Sequence, residues 1–479
     1  MAIPSASYSI TMRLQLDDDP RGIGRVTTAV GDAGAAVTAV DIVESRGASM
    51  TVDLTANTAD GDHAEKVAAA VDEIEGVAVR KKSDRTFLLH IGGKIAVRPK
   101  VSVRNRDDLS MAYTPGVARV CQAIADNPED ARRLTIKRNT VAVVTDGSAV
   151  LGLGNIGAAA AMPVMEGKAV LFKEFAGVDA WPVCLDTQET EEIIRIVEAI
   201  APAYGGINLE DIAAPRCFEI ERRLGEDLDI PVFHDDQHGT AVVTLGALSN
   251  ALRLTGKRLD EARVVLTGIG AAGVAIIRIL HAQGVGEILA CDRQGVLNRH
   301  REDLDDSKGW VAEHTNPDDR QGTVQEALDG ADVFIGVSGP NVLEPSDLSV
   351  MADDGIVFAL ANPVPEVDPA GARDYAAVVA TGRSDEPNQI NNVLAFPGIF
   401  RGVLDAGARN ITDRMNVAAA MAIAGIVSEE ELRPNYIVPS VFNTRVVTAV
   451  AEAIAEAARE DPPAEASEPA TEDEPVGAA

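Results

Sequence analysis

The sequence predicts an α/β fold in three parts. A ferredoxin-like βαββαβ module comes first, then an α/β substrate domain, then a Rossmann-type dinucleotide domain closed by helices. Three observations carry this. Ala, Val and Gly are abundant while aromatics make up only 4% of 479 residues, a composition typical of α/β enzymes. Arg263-Val264-Val265-Leu266-Thr267 reads as an apolar strand that runs into Gly268-Ile269-Gly270-Ala271-Ala272-Gly273 and then an apolar helix. The opening residues read strand, helix, strand, strand, helix, strand. The expected boundaries are 1–85, 86–238 and 239–458, followed by a tail, 459–479, rich in Pro, Glu and Ala that is expected to be disordered.

Along the chain, Tyr8–Leu16 alternates as a strand, Gly22-Ile23-Gly24 breaks it, and Arg25–Ala33 is helical. Ala36–Glu44 and Ser49–Ala56 are strands, Asp62–Ile74 is an amphipathic helix, and Val77–Lys81 is a last short strand. This module resembles an ACT domain, a small-molecule-sensing fold, with Asp19-Pro20-Arg21-Gly22-Ile23-Gly24 where that family has its ligand loop. Residues 83–110 read as a linker. Lys168 is expected after a Gly turn and before a strand, Ala169–Phe172. Ile230–Phe233 reads as a strand, and a helix starts at Gly239.

In the Rossmann-type unit Gly268 permits the tight turn, Gly270 lets backbone approach a pyrophosphate, and Gly273 lets helix and strand pack closely. A second strand, Glu287–Cys291, ends in Asp292, placed to bind ribose hydroxyls. Asp292 favours NAD, and the adjacent Arg293 could pair with the 2′-phosphate of NADP, so either cofactor fits. Ser338, in the Gly turn after the strand at Phe334, is a further cofactor-binding candidate, and Asn362, after the strand Val357–Ala361, points to the nicotinamide end of the cleft. Helices at Val417–Ile426 and Thr444–Arg459 close the unit.

A formal charge of −31 argues against nucleic acid or an anionic membrane as partner. Four scattered cysteines form no CxxC pair, so neither a zinc site nor a disulfide framework is indicated. No secretory signal and no membrane span is expected, which makes a cytoplasmic enzyme the default.

Acids crowd one strand-to-helix junction: Asp235 and Asp236 lie between the strand and the helix, and Glu210 and Asp211 lie upstream. Carboxylates at the C-terminal edge of a strand suit Mg²⁺ or Mn²⁺ and leave coordination positions for a chelating substrate. A solvated acidic turn that caps the helix is the plainer reading of the same residues.

Five motifs in order, Met111–Ala118, Val144–Asn155, Met162–Lys168, Phe233–Thr240 and Asn388–Val393, make residues 90–455 resemble the bacterial small-subunit malic enzymes. The resemblance implies oxidation and decarboxylation of L-malate to pyruvate and CO₂ with NAD or NADP and a divalent metal. It implies Lys168 as general base, Glu210, Asp211 and Asp236 as metal ligands, and Tyr113 as the acid that protonates the enolate. Asp235 would tune Lys168, or be the ligand if the register shifts by one. Asn362, Asn391 and Asn392 would contact malate carboxylate and nicotinamide. The Ser148-Ala149-Val150 loop lacks the arginine that larger forms use for the substrate carboxylate. Ser110, Lys168 or a partner subunit's Lys100 could replace it. A homodimer or larger oligomer is expected, with an amino-acid effector at an ACT–ACT interface. The alternatives are a metal-independent amino-acid dehydrogenase and a metabolite-sensing scaffold without activity.

Overall fold

The structure, a computed structural model, describes residues 4–17, 19–46, 49–150 and 152–460. The expected disordered tail therefore lies outside the described residues, apart from Arg459 and Glu460, which end the helix Arg445–Glu460. Contacts divide the chain into two units, Met1–Ser102 and Val103–Ala479.

The first unit has the expected order: β1 (Ser9–Asp17), the helix Gly22–Asp32, β2 (Ala36–Arg46), β3 (Ser49–Asn57), the helix Gly61–Asp72 and β4 (Val77–Asp84). The strands lie β2-β3-β1-β4 and every neighbouring pair is antiparallel. Period-two patterning decides the buried face: Ile10, Met12, Leu14 and Leu16 of β1 pack with Leu54, Val30 and Val67. The other face is polar, with Arg13 bidentate to Asp53 at 2.8 and 2.7 Å. The expected linker is partly helical. Asp84 accepts from the backbone of Thr86 and Phe87 to start Arg85–His90, and Asn105 accepts from Asp108 to start Arg106–Ala112.

The second unit holds two sheets. In the first, β5 (Thr140–Thr145), β6 (Asp179–Cys184), β7 (Gly206–Leu209) and β8 (Val232–His234) are parallel in the order β6-β5-β7-β8. In the second, β9 (Arg263–Thr267), β10 (Glu287–Asp292), β11 (Gly295–Val296), β12 (Val333–Gly336), β13 (Ile356–Ala359) and β14 (Val378–Thr381) lie β11-β10-β9-β12-β13-β14. All pairs there are parallel except β10 with β11. The order reverses between β10 and β12 around β9, a topological switch point where open α/β sheets bind ligands. One continuous core joins the sheets: Phe172 packs edge-on against Phe396 and Phe400, with ring centroids 4.7 and 5.2 Å away.

One expected element is wrong. Lys168 does not follow a turn but lies inside the 19-residue helix Ala158–Ala176. Ala161, Met165, Ala169 and Phe172 are buried on one face at helical spacing, so the apolar run after Lys168 belongs to a 3.6-residue period. Gly167 is absorbed mid-helix, and the true stop is the left-handed Gly177.

Candidate active site

The metal-type acids come from two adjacent parallel strands. Glu210 and Asp211 follow β7, and Asp236 lies in the one-turn π-helix Asp235–Gly239 that follows β8. One carboxylate oxygen from each of the three lies within 4.8 Å of the others. The Asp211 amide donates to Asp236 at 2.8 Å. Asp211 has φ 55°, a left-handed conformation that side chains other than glycine adopt at a cost. Burial pushes the Glu210 carboxyl well above its usual range; Lys168 opposes this, but Asp236, Asp235 and Asp211 add to it. Crowded all-oxygen donors of this kind, two of them buried and Asp236 partly exposed, fit a hard dication, whose charge relieves their mutual repulsion.

Lys168 reaches into this cluster. Its Nζ donates to Asp235 at 2.5 Å and lies 2.9 Å from Glu210, over the Phe396 ring at 4.3 Å. Burial pulls this amine down, but Asp235 and Glu210 outweigh that and hold it above its ordinary value. Without a second cation on the acids, Lys168 is an ammonium. Asp235 is fully buried and also accepts from Asn392 Nδ2 at 3.0 Å, so it holds the amine instead of joining the three clustered acids.

The glycine loop has the geometry its sequence suggested. Gly268 has φ 98°, and a Cβ there would sit 2.5 Å from the Val337 carbonyl. A Cβ on Gly273 would sit 1.8 Å from the Gly268 carbonyl, so only glycine allows this approach. Gly270 faces open space and caps the helix Ala271–Ala282 without a side-chain bond, which leaves that N-terminus a cradle for an anion. Asp292 ends β10, as expected, but its partners were not foreseen. Arg301 binds it through two nitrogens at 2.7 and 2.9 Å, and Lys308 at 3.0 Å, while Arg293 stays exposed. Burial would raise the Asp292 carboxyl, but Arg301, the Gln294 amide and Lys308 outweigh it and hold it down at about 2.

That depression has a sign. The folded value lies below the ordinary carboxylate value, so its stabilisation is complete above about pH 4 and drains away as pH falls towards 2. Urea midpoints measured from pH 5 downward should therefore fall more steeply for the wild type than for Asp292→Asn. Parallel curves would show that the ion pairs contribute nothing.

The remaining expected residues divide. Ser338 follows β12, and its amide and hydroxyl donate to the buried Glu366 at 2.7 and 3.3 Å. Glu366 also accepts from the Ala361 amide, tying the Ser338 loop to the one that carries Asn362. Asn362 is exposed beyond β13. Asn391 accepts from the Val393 amide, and Asn392 is spent on Asp235 and Thr240. Asn392 thus steadies an acid in this state instead of presenting its amide to a ligand. Tyr113 is not brought in: it ends the helix Arg106–Ala112 with 66% of its surface exposed, and no hydrogen bond joins it to Lys168. Sequence reasoning missed Glu366, Arg301 and Lys308. Their only local signal is charge, and the site residues they hold, Ser338 and Asp292, lie at the ends of other elements.

No helix among the described residues is long and apolar enough to cross a membrane. The malic enzyme N-terminal domain family matches residues 92–225, and the malic enzyme NAD-binding domain family matches 237–459. An NAD-dependent malic enzyme of Geobacillus stearothermophilus is 58% identical over 461 residues, covering 96% of this chain and 96% of its own. A bifunctional malic/malolactic enzyme of Bacillus subtilis (strain 168) is 54% identical, covering 77% of this chain and 90% of its own. The crystal structure of an NAD-dependent malic enzyme from Thermotoga maritima superposes with a TM-score of 0.75 at 49% identity, covering 78% of this chain and 99% of its own. The Geobacillus similarity is long enough that it must include the N-terminal module.

Proposed function

Because this chain belongs to the malic enzyme family, an NAD(P)-dependent enzyme that oxidises and decarboxylates malate, we propose how its own residues divide that reaction. The observation that carries the proposal is Lys168 bridging Asp235 and Glu210 at the edge of the acid trio. Lys168, as the neutral amine left once its own proton has gone to solvent, takes the proton of the malate C2 hydroxyl as hydride leaves C2 for the nicotinamide. Its proton is held by the charges of Asp235 and Glu210, so it is released most readily when Glu210 shares its charge elsewhere. Glu210, Asp211 and Asp236 would hold Mg²⁺ or Mn²⁺, which supplies Lewis-acid polarisation during loss of CO₂. Tyr113 returns a proton to C3 of the enolate. Asn391 and Asn362 contact the substrate and nicotinamide, and Asn392 orients Asp235. The Gly268–Gly273 loop receives the pyrophosphate and Asp292 the ribose, with the Arg301 and Lys308 cations beside it for a cofactor that carries a 2′-phosphate.

Family membership sets aside the amino-acid dehydrogenase and the inert scaffold. In the proposed division, residues 86–238 supply the substrate side and 239–458 the dinucleotide side. The protein works as a homodimer. Val103, Leu109, Met111 and Tyr113 are exposed within one otherwise polar stretch of chain, apolar surface that suits a second copy, and Tyr113 lies outside its own acid cluster. The N-terminal βαββαβ module is ACT-like and senses a small metabolite, an amino acid in its chemistry.

Initial rates with malate, NAD or NADP, and Mn²⁺ or EDTA test the reading. Reduced cofactor and pyruvate should appear in equal amounts and stop on chelation; turnover that persists in EDTA removes the metal from the reaction. Adding each amino acid to the same full-length assay should shift the malate KM for at least one, and a flat response across the panel removes the sensing role.

A further inference from the structure

The turn that carries Asp235 and Asp236 is gripped from behind by one carboxylate to which nothing above gives a role. Glu221 lies on the helix Arg216–Asp227 with its side chain 14% exposed. It accepts from the His234 amide at 2.8 Å, from Gln237 Nε2 at 2.9 Å, and it pairs with His238 Nε2 at 2.9 Å. These partners flank both acids: His234 precedes Asp235, and Gln237 and His238 follow Asp236. The need for the grip follows from topology. β8 is the edge strand of its sheet, so no further strand is there to take its outward amides. Glu221 does so for His234, at the point where the chain leaves the strand. Directly after it comes a π-helical turn, a geometry that α-helical hydrogen bonding does not enforce.

We propose that Glu221 is a positioning residue for the metal site. By fixing both ends of the 234–238 turn, it sets where Asp236 meets Glu210 and Asp211 and where Asp235 meets Lys168. The proposal rests on the metal-site part of the reading above. Partners that orient metal ligands typically contribute about 10–100-fold in metal affinity.

The test is Mn²⁺ binding to the full chain without substrate, read by loss of the free-ion EPR signal. Glu221→Gln keeps the shape but puts an amide donor among groups that all donate. Its Mn²⁺ dissociation constant should rise about tenfold or more. Glu221→Asp keeps the charge and should recover part of the loss. Ile220→Ala, on the same helix but buried in the adjoining apolar core, is the control for stability. It should lower the melting temperature and leave the Mn²⁺ constant within about twofold, because its apolar side chain belongs to the core cluster and makes no hydrogen bond to the turn or the acids. A folded Glu221→Gln protein with wild-type Mn²⁺ affinity overturns the proposal. So does an Ile220→Ala protein that loses affinity to the same degree, or a wild type that takes up no Mn²⁺. Pyruvate formation by the wild type is scored separately: tight metal binding without turnover would fail the reaction and not the clamp.

Discussion

Lys168→Ala should lower kcat by about 10³-fold, within the range that a positioned acid–base group contributes. The loss should fall on kcat more than on the malate KM, because the amine acts on the proton that leaves as hydride departs. A second effect separates this lysine from an ordinary ion-pair residue. Asp235 is fully buried and Glu210 nearly so, and both face the same ammonium. Removing it leaves buried carboxylates without a counter-charge, a change that typically costs about 3–5 kcal/mol. Chemical denaturation should therefore show Lys168→Ala much less stable than wild type in EDTA, and part of the gap should close with saturating Mn²⁺. A variant that keeps more than about a tenth of wild-type kcat would remove Lys168 as the base.

Tyr113→Phe should also lower kcat by about 10²–10⁴-fold while leaving cofactor and metal binding in place. Its exposure makes a stronger prediction. If Tyr113 completes the site of a partner subunit, neither variant alone is active, but a mixture of Tyr113→Phe and Lys168→Ala chains regains activity. After random reassortment of a twofold dimer, half the dimers are mixed and each contains one intact site. Recovery should approach about a quarter of wild-type turnover. No recovery after verified subunit exchange would place Tyr113 and Lys168 in the same chain's site.

Much of the architecture is legible in the sequence. The strand Arg263–Thr267 and the acid at the end of β10 fell where the sequence put them, because a strand-to-helix turn built on glycines is a local property of the backbone. The N-terminal order of strands and helices was equally plain, since alternation with period two and caps such as Asp60 act within a few residues. The helix around Lys168 was misread for a physical reason. Gly167 beside a short apolar run supports a turn and a strand as well as it supports a helix. Only the packing of Met165 and Phe172 onto the core selects the helix.

By itself, the sequence determined which groups are present and in what local geometry: the glycine cradle, the acids at strand ends, the amine and the phenol. Tertiary structure decided what those groups do to one another. It brought Lys168 against Asp235, 67 residues away, and so set the amine's charge. It also set Arg301 and Lys308 on Asp292, Glu221 behind the acidic turn, and Tyr113 at the surface. Coulomb and hydrogen-bond energies depend on distance and burial, and for groups on separate elements neither exists until the sheets and helices have packed.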